Sequence, residues 1–386
     1  MSPDPSRETT RGRGSRWTAL ALFGAVAVIL FLVSQEFMAM WEDPPIYPGQ
    51  GVTGQARLSD YYPGIEDTWA DTDVYFLEGA APGGTALILG GTHPNEPASS
   101  LTAITMLENA VVRQGRLIVV PRAAHSGFTA TDPQEGFPQV YHIEMPTGTR
   151  EFRYGGRGTN PVHQWPDPVI YVNGSGQQLA GPEVRNLNRS YPGDPEGYLT
   201  ERLAYAIVEL IRQEEIDLSI DLHEASPEYP VINAMVAHEN AVDLAVEAAL
   251  LLEFEGLQIG VEPSPANLRG LSHREWGDAT GTKAILIESA NPAQGRLRGS
   301  TNEALIVEGV DRYYNRAGEM GLLYVPFGDE GSPMEERVGR HIQTVSKLLE
   351  VFSTYNPERT IAVDDLPTFN EVLQNGLGAY LAHPEG

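Results

Sequence analysis

His93 and Glu96, three positions apart, stand in the run Gly90-Gly91-Thr92-His93-Pro94-Asn95-Glu96, between an apolar stretch at 86–89 and a helical pattern. The carboxyl end of a strand is where open α/β sheets place their sites, and the glycines permit the tight turn. His-x-x-Glu alone is common by chance. A second histidine, His223 in Asp221-Leu222-His223-Glu224, follows the alternating Ile216, Leu218, Ile220 and Leu222. Together His93, Glu96 and His223 make the three-ligand set with an open fourth position that catalytic zinc needs. Two neutral imidazoles and one carboxylate leave such a site net positive, able to polarise a carbonyl and lower the pKa of a bound water to about 7.

Glu288 closes the apolar stretch 284–287, and a carboxylate there is costly to bury without a partner or a task. As general base it would take a proton from metal-bound water and deliver it to a leaving amine. Asn188 and Arg189 lie in Asn186-Leu187-Asn188-Arg189-Ser190-Tyr191-Pro192-Gly193, where a guanidinium can grip a substrate carboxylate in bidentate fashion or stabilise an oxyanion. Taken singly, His223 is better explained as a core histidine, and Glu288 equally well as a surface strand end.

The order Gly-Gly-Thr-His-x-Asn-Glu, Leu-Asn-Arg-x-x-Pro-Gly, Asp-Leu-His, then a strand ending in Glu, resembles the succinylglutamate desuccinylase and aspartoacylase family, whose fold is similar to that of the zinc carboxypeptidases. The resemblance covers residues 73–317 and implies one Zn2+ per chain on His93, Glu96 and His223. It also implies Asn188 and Arg189 on the substrate carboxylate or scissile carbonyl, and Glu288 as the base. Pro94 stands where the family usually has glycine, and Asn186 where it usually has aspartate; neither removes a ligand. The tyrosine that pancreatic-type carboxypeptidases carry before the catalytic glutamate has no counterpart in 255–287. Glu224, directly after His223, is open to two readings, a support for the ligands or a contact for a cationic substrate group.

Positioning these residues needs a sheet flanked by helices. The sequence predicts strands at 73–77, 86–89, 116–120, 217–222, 231–236, 257–261 and 284–287. It predicts helices at 97–112, 200–214, 242–252, 303–317 and 334–352. The fold class expected is α/β, a mixed, mostly parallel sheet flanked by helices, zinc-carboxypeptidase-like by resemblance and preceded by one N-terminal transmembrane helix. The expected division is 1–16 cytoplasmic basic segment, 17–35 transmembrane anchor, 36–71 linker, 72–355 hydrolase domain and 356–386 C-terminal extension. Residues 125–197, rich in Gly, Pro, Asn, Thr and aromatics, are far longer than an ordinary loop and read as a functional surface.

Residues 17–35 carry no charge and would span roughly 28 Å as a helix, close to a bilayer's hydrocarbon thickness. Arg7, Arg11, Arg13 and Arg16 precede them and Glu36, Glu42 and Asp43 follow, which puts the N-terminus in the cytoplasm and the domain outside. A cleaved signal peptide is the alternative, although no small-x-small site follows Val33; a buried soluble helix is another.

Twenty-six basic against 52 acidic side chains give a net charge of −26, which excludes an electrostatic grip on nucleic acid. The absence of cysteine removes disulfides, thiolate nucleophiles and cysteine-held zinc. Pro227 breaks any His-Glu-x-x-His reading at 223–227, and no serine-hydrolase elbow or phosphate-binding glycine loop is present. His125, His142, His163, His238, His273, His341 and His383 are expected as core or surface residues, the first three with a smaller claim on substrate. Arg153 and Arg157 could extend an anion site. The expected function is zinc-dependent hydrolysis of an amide bond next to a carboxylate, in a small-molecule N-acyl amino acid or in a peptide, including a cell-wall peptide. The metal itself stays open among zinc, cobalt and manganese, and the alternative of another class is a non-catalytic binding domain.

Overall fold

The computed structural model describes residues 8–131 and 137–382. Residues 1–7 with Arg7, 132–136 of the long irregular stretch, and 383–386 with His383 lie outside the described residues. The chain divides into two compact units, Met1–Asp43 and Pro44–Gly386. The first holds α1 (Glu8–Ala39). Its stretch Ser15–Ala39, of mean hydropathy 2.3 and unburied, is long and apolar enough to cross a membrane.

The second unit is built on one mixed sheet. Its early strands are β1 (Gly54–Arg57), β2 (Asp73–Glu78), β3 (Ala81–Leu89) and β4 (Val111–Val120). The irregular stretch then folds into two small hairpins outside that sheet, β5 (Val140–Met145) with β6 (Gly148–Arg153) and β7 (Ile170–Val172) with β8 (Gln178–Ala180). β9 (Leu218–Ala225), β10 (Ala234–Ala237), β11 (Gly260–Pro263), β12 (Lys283–Ala290) and β13 (Ala362–Asp364) complete the strands. The order is β1-β2-β4-β3-β9-β12-β10-β11, with β13 on β4. The centre, β4-β3-β9-β12, is parallel throughout, as near-continuous apolar runs buried on both faces demand.

Helices cover both faces. Ile88, Ile220, Ile285 and Ile287 pack with α2 (Pro97–Asn109), α4 (Val242–Phe254) and α8 (Met334–Tyr355) through Leu101, Leu244 and Ile342. The residues pointing the other way, Leu87, Leu89 and Ile118, meet Leu203 and Ile207 of α3 (Leu199–Gln213) and Trp276 of α5 (Ser272–Thr280). Alternation along β3 thus feeds two cores from one strand.

Several boundaries differ from expectation. Residues 44–71, expected as linker, belong to the domain: β1 pairs with β2, and Leu58 and Ile65 are fully buried. The C-terminal extension also packs, through β13 and through Val372 of α9 (Phe369–Asn375) and Leu377, both fully buried. The helix expected at 97–112 stops at Asn109, because Val111 and Val112 already belong to β4. The one expected at 303–317 is two, α6 (Glu303–Val307) and α7 (Arg312–Glu319). Gly309 separates them at φ +68°, packed so tightly on the backbone of Ser332 that a Cβ would lie 2.0 Å from its oxygen.

Candidate active site

β3 ends at Leu89, and the turn after it carries His93 and Glu96 to the start of α2. Gly91 makes that turn at φ +70°, where a Cβ would come within 2.9 Å of the Phe128 ring. His223 arrives from the neighbouring strand, two residues before the end of β9 rather than just past it, and Glu288 lies in register beside it on β12. Both strands run further than the sequence pattern suggests because their polar residues are paired to each other through Ala225 and Ala290.

The three expected ligands converge. Nδ1 of His93 is 2.9 Å from Glu96 Oε1, and Nδ1 of His223 is 2.9 Å from Glu96 Oε2. One ligand atom from each residue lies within 4.8 Å of the others, and all three side chains are buried. Behind the rings, His93 Nε2 meets Asn186 Oδ1 at 2.9 Å and His223 Nε2 meets Asp221 Oδ2 at 2.8 Å. An acceptor behind each ring holds the proton on Nε2 and leaves the Nδ1 lone pair facing the centre, the arrangement a metal-ligating histidine requires. Asp221 is itself fixed by donation from Thr92 Oγ1 and Ser272 Oγ. The donor set therefore fits a divalent ion of the zinc type.

The electrostatics agree. Burial, with Arg157 adding to it, lowers His93 to about 4, so it stays neutral. Burial also opposes charge on His223 and on Glu96, but the carboxylates Asp221 and Glu96 outweigh it for His223, which is raised. The two imidazoles do the same for Glu96, which is lowered. A proton is drawn into the space between buried carboxylates, and a metal ion would compete for that space.

Glu288 faces the same cavity. The residue is half-buried, but its Oε2 is buried with no hydrogen-bond partner, and desolvation pushes its pKa up to about 8, with Glu96 adding to the rise and His223 opposing it. An orphaned buried carboxylate oxygen is expensive unless something else occupies the site. Asn188 and Arg189 are presented by a tight turn at 187–189, which the Asn186 side chain caps by accepting from Asn188 N at 3.1 Å. Asn188 Oδ1 is committed to Ser272 N at 2.8 Å, which leaves its amide nitrogen for the cavity it lines. The Arg189 guanidinium lies 3.9 Å from Glu183, and burial lowers its pKa.

The cavity enclosing these groups measures about 630 Å³. Arg157, from the irregular stretch, reaches Glu96 Oε1 at 2.9 Å and lines the cavity too. Glu224 forms a fully buried ion pair with Arg337 of α8 at 2.7 Å, and its other oxygen accepts from Ala98 N at 2.8 Å, so it anchors the first turn of α2. His125 and His163 instead flank Trp69, and His142 pairs with Glu303. Sequence reasoning missed His273, which lines the cavity with Nδ1 2.8 Å from Ser264 Oγ, and which burial lowers to about 3. It also missed Asp221, Ser272 and Arg337; Asp221 alone carried a sequence signal, being two residues before His223 on the same face of a strand.

No family model matches the chain, and no curated protein matches it. Solved structures do, and the first of them carry the family name that the motifs suggest. A succinylglutamate desuccinylase/aspartoacylase from Rhodobacter sphaeroides is 19% identical over 56% of this chain and 51% of its own, with a TM-score of 0.34. A metallo-carboxypeptidase from Burkholderia cenocepacia is 12% identical over 83% of this chain and 68% of its own, with a TM-score of 0.45. The Gln46His variant of the cell shape determinant protein Csd4 from Helicobacter pylori is 14% identical over 78% and 60%, with a TM-score of 0.39. The chain thus spans about half the length of the first of these. At such identities and scores none of them carries a residue role or a substrate across to this chain.

Proposed function

We propose that this chain is a zinc-dependent hydrolase that cleaves an amide bond next to a carboxylate, anchored by α1 with its domain outside the cytoplasm. The observation carrying the reading is the convergence of His93, Glu96 and His223 with Glu288, whose buried Oε2 is unpartnered, in the same cavity. Zinc bound by those three residues would act as a Lewis acid on the scissile carbonyl. Arg189, with the Asn188 amide, takes the substrate carboxylate and so fixes which amide carbon lies beside Glu288. Glu288 accepts a proton from the attacking water and gives it to the departing nitrogen, so that amide and water become carboxylic acid and amine. Desolvation of its buried Oε2 favours the protonated form and so raises its basicity.

Elemental analysis of the full chain in detergent, before and after chelation, tests this together with hydrolysis of N-acyl amino acids and dipeptides. One zinc per chain and chelator-sensitive hydrolysis are expected. A protein that takes up no metal when zinc is offered would sink the reading and favour a binding domain on the same fold. Protease accessibility of the domain in sealed vesicles tests its side of the membrane.

A further inference from the structure

Strand register lays out the cavity floor as two rungs on one face of the sheet. The first rung runs His223, Glu288, Ala234 and Gly260, across β9, β12, β10 and β11. The second, two residues along, runs Asp221, Leu286, Val236 and Glu262. Beyond Glu288 the first rung offers only a methyl group and a hydrogen, which leaves room above the sheet. The second provides an apolar strip, Leu286 and Val236, ending in the carboxylate of Glu262. Leu286, Val236 and Glu262 all line the cavity, with Leu268 and Leu271 alongside them. Glu262 is exposed and has no hydrogen bond or ion pair among the described residues.

We propose that this arm of the cavity is a subsite for a long side chain with an apolar stem and a cationic end, with Glu262 as the counter-ion. Two strand spacings and two residues of rise separate Glu288 from Glu262, about 12 Å between Cα atoms. The side chains of a lysine-like residue and of Glu262 reach toward each other across that distance. The stem would cover Leu286 and Val236, as lysine methylenes cover apolar surface elsewhere, and the ammonium would reach Glu262. The opposite charge is provided for at the other end, where Arg189 and Arg157 line the cavity. The residue bound is therefore one with a free α-carboxylate and a side-chain amine, such as lysine, ornithine or another diamino acid. The net charge of −26 favours the approach of such a cation over that of an acidic side chain.

The inference rests on the amide-hydrolase reading for what reacts, but not for what binds. Zinc-loaded full chain in detergent is assayed with benzoylglycyl-lysine and benzoylglycyl-norleucine, which differ by an ammonium against a methyl group. Calorimetry follows the binding of lysine and norleucine themselves. The lysine substrate should be favoured about two- to fivefold in kcat/KM, as for an exposed ion pair. The ratio should fall to about one in Glu262→Gln and persist in Glu262→Asp, with zinc content reporting that each variant folds. Equal kcat/KM for the pair in the unmodified chain, or a preference that survives Glu262→Gln, would overturn the subsite. If neither compound is hydrolysed, the amide-hydrolase reading falls and calorimetry decides the subsite. Lysine binding that is tighter than norleucine binding and sensitive to Glu262→Gln upholds it, and equal binding overturns it.

Discussion

Glu224→Gln should destabilise the domain far more than a neutral, isosteric change usually does. Glu224 and Arg337 are buried together at 2.7 Å, and the guanidinium has as further acceptors the carbonyls of Ile306 and Pro333. With an effective dielectric near 20 and charge centres about 4 Å apart, the attraction is about 4 kcal/mol. The amide can still accept from Ala98 N, so the loss is chiefly that of charge, leaving a guanidinium without a counter-ion in the core. Breaking such a pair from one side costs about 3–5 kcal/mol, whereas replacing both partners costs far less. Burial pushes the Glu224 carboxyl up more strongly than Arg337 pulls it down, so the pair itself contributes little and only its breakage is costly. Denaturant unfolding of the metal-free protein, run as a double-mutant cycle, is the assay. Glu224→Gln should lose about 3–5 kcal/mol, and Glu224→Gln with Arg337→Met at most about 2. A single-variant loss below about 1 kcal/mol, or a double variant that simply sums the singles, would refute the reasoning.

Three further outcomes follow from the site. Glu288→Gln should abolish turnover while zinc content stays at that of the unmodified chain; retained activity would remove Glu288 as the base. In metal-free protein the folded state holds the Glu288 proton to about pH 8, above the unfolded value of about 4.5. Folding then binds a proton that the unfolded chain releases, so stability falls as pH rises between those values. Melting temperatures from pH 5 to 9 should show that Glu288→Gln gains on the unmodified chain as pH rises, the gain levelling off above about 8. Asp221→Asn should weaken zinc binding by about 10–100-fold in competition with a chelator, since the acceptor behind His223 loses its charge; unchanged affinity would mean that this carboxylate does not tune the ligand.

The candidate ligand group His93, Glu96 and His223 was legible in the sequence because it closes or closely follows strands whose apolar pattern is short and clear. The alternation of Ile216, Leu218, Ile220 and Leu222 placed β9, and with it the face on which His223 points. What supports those ligands was not legible. Arg337 meets Glu224 across 113 positions, a pairing no local periodicity reports. The edge strand β1 is four residues among prolines and glycines, too short to separate from a linker. Strand ends were underestimated because Glu224, Glu288 and Ser289 are polar residues inside strands: a distant partner, Arg337, accounts for Glu224, while Glu288 Oε2 and Ser289 Oγ have no hydrogen-bond partner among the described residues.

The register of β9 with β12 has an outcome for the history of such a site. His223 and Glu288 are held by the ladder spacing of one sheet, about 4.8 Å, so neither moves without the other. Arg157 and Arg189 hang instead on irregular turns, and Glu262 on an outer strand of four residues. A lineage can therefore exchange what it recognises by editing turns and an edge while His223 and Glu288 keep their separation. Descendants of this chain with new substrates should differ first at 157, 189 and 262, and last at 223 and 288.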